Sequence, residues 1–343
     1  MTENGIHPKA PQVAPPDRQQ DRPQDRPQDG PRVREQPQDG PRVREQPPPG
    51  FRPSHRQAIA WLVLCTLMWS IAGLVSRQLE QAKSLEVTFW RSLFCFLAMG
   101  LGMAWHWRRK VLQVLWAMGR WGLFSGAMWA VMFTCFMIAL TRTSVANTVV
   151  VMSLAPLLAA IMARLFLRTP IEPSTLFAIA MAGCGVWWMV REGITGDGYE
   201  GMLIAAGVPL ASAANLVVLR AQRAQVELIP AILVGAWISC LITLPWSIPF
   251  EASSHDLAWL ALLGVFQLAI PCALLVWVAR FLPPHEIALI CLLEVVLGPI
   301  WTWLGADEEM PLATVQGGML VIAGLAFNAM RTSWSKTTTA SDP

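Results

Sequence analysis

The chain has 343 residues, 54% of them hydrophobic and only 14% charged, with a net charge of +3. So apolar a composition points to lipid rather than water as the surroundings of most of the chain. The near-neutral balance gives no basic footprint for nucleic acid.

The first 56 residues are a different material. They hold 13 of the 26 prolines and only eight hydrophobic residues, and DGPRVREQP occurs at Asp29–Pro37 and again at Asp39–Pro47. This composition cannot bury enough apolar surface to offset the entropy of ordering, so 1–56 is expected to be a disordered cytoplasmic tail. Its functional alternative is a docking site for a protein or for lipid headgroups. No cleavable signal is expected, because the first apolar run begins at Ala58 and is too long for a signal-peptide core.

Ten apolar segments follow, near 57–76, 86–105, 121–141, 143–163, 173–190, 201–219, 228–250, 257–279, 287–304 and 311–330. At about 1.5 Å of rise per residue each crosses roughly 30 Å of hydrocarbon. The predicted fold class is an all-α polytopic membrane protein with ten transmembrane helices. Turns at Arg168-Thr169-Pro170, Gly196-Asp197-Gly198 and Leu282-Pro283-Pro284 separate several of them. The connecting loops leave no room for a soluble catalytic domain.

Charge sets the orientation. Arg108, Arg109, Lys110, Arg120, Arg164, Arg168, Arg220, Arg223, Arg280, Arg331 and Lys336 fall on one side, and only Arg77, Lys83, Arg142 and Arg191 on the other. The positive-inside rule places both termini, including the short tail 331–343, in the cytoplasm.

The two halves resemble each other. A shift of 139 lays Ser144–Gly185 on Pro283–Gly324, and a shift of 142 lays Ser70–Val75 on Ser212–Val217. Residues 57–190 and 201–330 read as two five-helix repeats, and an odd number of crossings makes the second copy insert upside down. Inverted repeats build a site at their interface near the midplane and open it to alternate sides by rocking.

Charges inside the spans are the first site candidates. Glu294 sits about 12 Å into its span from Glu286, where a carboxylate costs roughly 2.5 to 3.5 kcal/mol unless it meets a cavity or a partner. It reads as a ligand for a cationic or amine-bearing solute, a proton-coupling group, or a helix-to-helix hydrogen bond. Arg91 either snorkels to the outer interface or meets a solute carboxylate. Asn147, Ser153, Asn215 and Gln267 are uncharged polar residues that hold helices together or line a pathway. Trp69, Trp129 and Trp237 lie deeper, where an indole packs either a neighbouring helix or a flat or cationic ligand, whereas most of the 17 tryptophans fit an interfacial belt.

Neither metal nor cofactor nor catalysis is expected. The seven cysteines fall singly in the spans, the five histidines form no HExxH, and no P-loop, GxSxG or GxGxxG stands in a plausible context.

Thr143-Ser144-Val145-Ala146, Leu154-Ala155-Pro156-Leu157, Leu292-Leu293-Glu294, Gly305, Glu308-Glu309 and Gly318 to Gly324 together resemble the EamA-like permeases of the drug/metabolite transporter (DMT) superfamily. The resemblance spans Ala58 to Met330. It implies a ten-helix secondary carrier of the bacterial inner membrane, often an exporter of amino acids or related metabolites, with a cavity lined by spans 1, 3, 4, 6, 8 and 9. Asn147 and Gln267 fall in that set. Where the family reads Leu-Glu-Pro, this chain has Leu293-Glu294-Val295, with Pro299 displaced; where it reads Gly-Glu, this chain has Leu167-Arg168-Thr169. The expected partners are a small-molecule solute and membrane lipid. The alternative is a non-transporting scaffold or sensor that uses its tail. Deletion of Met1–Gly50 is expected to leave membrane insertion and any solute flux within about twofold of the full chain, because the segment carries no core; loss of membrane-fraction protein on a blot would refute this.

Overall fold

The computed structural model describes residues 53–339 apart from 169, 172, 194–197, 222–227, 279–280, 283 and 308–311. The proline-rich tail and the Glu308-Glu309 turn lie outside the described residues. Helix is the only regular structure among those described: α1 (His55–Ser76), α2 (Ser84–Trp107), α3 (Gly119–Arg142), α4 (Val145–Leu167), α5 (Pro173–Gly193), α6 (Tyr199–Val218), α7 (Leu228–Ser247), α8 (Ser254–Val278), α9 (Pro284–Ala306) and α10 (Leu312–Thr339). Seven of these are long and apolar enough to cross a membrane, while the apolar parts of α5, α9 and α10 are shorter. The helix α10 continues well beyond the predicted end at 330, since backbone hydrogen bonding carries on where hydropathy stops.

Local chemistry explains starts and breaks. Ser54 with Gln57 and Ser253 with Asp256 form capping boxes that begin α1 and α8. Proline supplies no N–H to the carbonyl four residues earlier. Accordingly α4 breaks between Met152 and Ala155, just before Pro156, and α6 breaks at Ala206, before Pro209. In α8 the same defect is absorbed as a π-helical stretch, Leu263–Ala269, ahead of Pro271.

The helices pack α2 against α3, α7 and α8; α3 against α6 and α7; α1 against α8 and α9; α4 against α6 and α9; and α5 against α10. Large apolar side chains such as Leu101, Trp105, Leu165, Phe166 and Trp187 face outward, an exterior suited to lipid. Without a hydrophobic force between helices, close backbone approach supplies the packing. A Cβ on Gly264 of α8 would stand 2.6 Å from the Arg91 carbonyl oxygen and 2.5 Å from Phe94 Cβ of α2. One on Gly235 of α7 would stand 2.9 Å from the Gly126 carbonyl oxygen of α3. Overpacking costs about 1 to 3 kcal/mol, so Gly264→Val is expected to lower the melting temperature in detergent. Gly102, with nothing within 4 Å of an added Cβ, should accept alanine without loss; equal melting curves for the two variants would contradict the close α2 to α8 contact.

Candidate functional site

Arg91 is carried by α2 into the middle of the bundle and is 1% exposed. It does not snorkel to the interface: burial by α3 and α8 on either side leaves its side chain no route outward. Its Nη2 and Nε donate to Gln267 Oε1 at 2.9 and 3.3 Å, and Gln267 Nε2 donates to the Trp69 carbonyl at 3.4 Å. The guanidinium lies 5.4 Å from the Phe136 ring centroid, a cation–π contact. Gln267 reaches it from the π-helical stretch of α8. Nη1 is buried and has no hydrogen-bond partner among the described residues. The ion pairs found among those residues involve other groups, so a full positive charge is held by one amide and one ring. A buried ion in this condition costs several kcal/mol.

Glu294 lies mid-way along α9 and is half-buried. The floor of this region is apolar: Ala58, Leu62, Cys65, Val278 and Leu282 form a buried cluster against which Trp69, Leu274 and Cys291 pack.

The other candidates separate. Asn147 donates to Thr143 Oγ1 at 3.1 Å and accepts from Thr314 Oγ1 at 2.9 Å, tying α4 to α10. Ser153 donates to its own helix at Val150. Asn215 of α6 is 9% exposed, and its Oδ1 has no hydrogen-bond partner among the described residues. Trp69 enters through its backbone carbonyl and its packing. Trp237 is 45% exposed on the outer surface, which removes it from the interior. Gln267, Arg91 and Trp69 are therefore drawn together, while Asn147 and Ser153 are bonded elsewhere. Among the described residues no group of three or more His, Cys, Asp or Glu is placed to hold a metal ion.

Sequence reading passed over two carboxylates at one end of the bundle. Glu86, at the start of α2, accepts from the backbone N–H of Glu251 and Ala252 in the loop between α7 and α8. Asp256, at the start of α8, accepts from Glu80, Gln81 and Ala82 in the loop between α1 and α2. Each helix start therefore holds the loop leading to the other. Both residues are fully buried, and Lys83 pairs with Glu251 beside them. At the same end Arg77 donates to the carbonyls of Leu140 and Thr143. The capping box Ser253-x-x-Asp256 is visible in sequence, but its capture of a remote loop is not. A buried hydroxyl set, Ser239 within 2.9 Å of Ser92 and 3.0 Å of Thr134, links α7 to α2 and α3.

An all-helical bundle with an apolar exterior and a few buried charges is an integral membrane protein. The chain belongs to the EamA-like transporter family, whose model matches residues 56–191 and again residues 200–330. No curated protein matches it in sequence. A crystal structure of a protein with 17% identity is similar in fold, with a TM-score of 0.57 over 81% of this chain and 99% of that one.

Removing a buried hydrogen-bond partner leaves its donors unsatisfied at about 1 to 3 kcal/mol each. Asp256→Ala is accordingly expected to lower the melting temperature in detergent by several degrees, and Lys83→Ala, at an exposed pair, by little. A larger loss in the lysine variant would reverse the assignment of which contact holds this end.

Proposed function

We propose that this protein is a secondary carrier, an exporter of small organic metabolites such as amino acids across the bacterial inner membrane, built from ten membrane crossings in two inverted five-helix repeats. The observation that carries the reading is the packing pattern. Exchange each helix for the one five places along, and the most extensive contacts are returned: α2 with α8 becomes α7 with α3, α1 with α8 becomes α6 with α3, α1 with α9 becomes α6 with α4, and the pairs α2 with α7, α4 with α9 and α5 with α10 return themselves. The family model matches once in each such half. Two copies of a five-crossing unit lie in opposite senses in the membrane, and their interface is where alternating access places a solute.

The basic bias puts the Glu86 and Asp256 latches at the periplasmic end, so this conformation is shut outward. The short helices Arg108–Lys110 and Val111–Ala117 in the linker between α2 and α3 hold no buried residue; in this reading they lie at the cytoplasmic side, from which an exported solute enters. Glu294, half-buried and outside the ion pairs found among the described residues, is the group that binds a solute amine or moves a proton.

Glu294→Gln keeps the shape of the side chain and removes its charge. In proteoliposomes loaded with a mixed metabolite pool, the wild type is expected to support flux and the Gln variant to lose roughly 5- to 150-fold of it, the range of a typical coupling free energy. Its melting temperature should stay close to the wild type. Full flux by the Gln variant from pH 5 to 8 removes Glu294 from both roles, and no flux by the wild type against any gradient removes the carrier reading.

A further inference from the structure

The stretch that joins α2 to α3 is longer and more basic than the helix frame requires. Under the five-place exchange it corresponds to residues 248–253, which join α7 to α8 and are drawn onto the bundle by Glu86. Here the same turn takes residues 108–118 and holds no buried residue. Arg108 at φ 47° and Gly119 at φ 58° bend the chain at its two ends, since a left-handed residue turns the backbone off a helix axis. The helix Val111–Ala117 between them therefore continues neither α2 nor α3. Its Val111 and Leu115, one turn apart, pack on the cluster that holds Met99, Met103 and Ile232, while Leu112 and Trp116 are 69% and 85% exposed. Arg108, Arg109, Lys110 and Arg120 flank this helix, all exposed and all outside the ion pairs found among the described residues. The sequence has no acidic residue between Glu86 and Glu172 to balance them. The Arg120 guanidinium lies instead 4.9 Å from the centroid of the Trp121 ring.

Depth decides what meets this surface. Along α2, Leu101 and then Trp105 face outward, 72% and 87% exposed, and the basic run begins at Arg108 directly beyond them. Apolar, then indole, then cationic is the order in which a helix passes from acyl chains to headgroups. We propose that the Val111–Ala117 helix lies along that boundary and that Arg108, Arg109, Lys110 and Arg120 bind the headgroup of an anionic phospholipid, with Leu112 and Trp116 set among its acyl chains. Exposed apolar side chains flanked by cations fit a lipid of this charge. A soluble acidic partner would leave Leu112 and Trp116 without cover. The lipid supplies the counter-charge that this part of the chain lacks, and it couples the ends of α2 and α3 to the headgroup layer. The anionic fraction of the bilayer then sets how firmly the two helices are held at this end. The inference depends on neither the solute nor the direction of flux.

Binding is read as the rise in melting temperature of the full chain in detergent when phosphatidylglycerol is added to the micelles, against phosphatidylcholine with the same acyl chains. Phosphatidylglycerol is expected to act at a concentration at least about tenfold lower than phosphatidylcholine. High salt should remove most of that difference, because exposed charges are screened. Arg109→Gln combined with Lys110→Gln leaves Arg108 and Arg120 to keep the orientation. It should raise the phosphatidylglycerol concentration for half effect roughly 25-fold, about fivefold for each cation at an anionic surface. Arg164→Gln combined with Arg168→Gln, at the same end of the protein on α4, should change it far less. Trp116→Gln should weaken both lipids alike, since it removes apolar cover and no charge. Equal stabilisation by the two lipids, an undiminished effect in the Arg109 and Lys110 variant, an equal loss in the Arg164 and Arg168 variant, or equal stabilisation by inorganic phosphate overturns the proposal. So does a dimer, seen by light scattering, that the Arg109 and Lys110 variant breaks, which gives the surface to a second copy of the chain. Should that variant fail to fold, the wild type decides: a phosphatidylglycerol effect undiminished at high salt overturns the proposal.

Discussion

Hydrocarbon holds no water to satisfy a polar group, so every amide, hydroxyl and charge inside this bundle must find its partner in the protein. Most of them do so locally or across one helix contact. Thr66, Thr148 and Thr243 donate to carbonyls in their own helices, Ser92, Thr134 and Ser239 share their hydroxyls, and Asn147 is shared between Thr143 and Thr314. Against that background of satisfied groups, Arg91 Nη1, Asn215 Oδ1, Ser125 Oγ and Trp129 Nε1 are exceptions among the described residues.

One missing backbone N–H has long consequences. Pro271 cannot donate to the carbonyl of Gln267, α8 widens into a π-helical stretch, and a side chain that an α-helix would rotate elsewhere arrives at Arg91. Gly264, in the same stretch, lets the α8 backbone lie against the carbonyl of Arg91 itself. Backbone defect and close approach together fix the position of one cation. The same economy appears at Glu86 and Asp256, where two carboxylates satisfy five loop N–H groups and join the start of α2 to the start of α8.

The frame is symmetric and its chemistry is not. The main helix contacts return themselves under a five-place exchange, whereas Arg91, Glu294 and the two latching carboxylates each occur in one half only.

Sequence by itself determined the helices, because length and apolarity decide whether a segment lies in lipid, and it determined the family, because the fingerprint from Thr143 through Glu294 to Gly324 is local. It also gave Glu294 as a charge out of place, since burial there follows from position along one span. Tertiary structure alone decided that Arg91 turns inward rather than outward, that Asn147 is a tie between α4 and α10, that Trp237 faces out, and that Glu86 and Asp256 hold each other's loops. Each of these depends on which face of a helix meets which neighbour. Nearly every face of these helices is apolar, so periodicity marks no inner side, and only the packed bundle selects one.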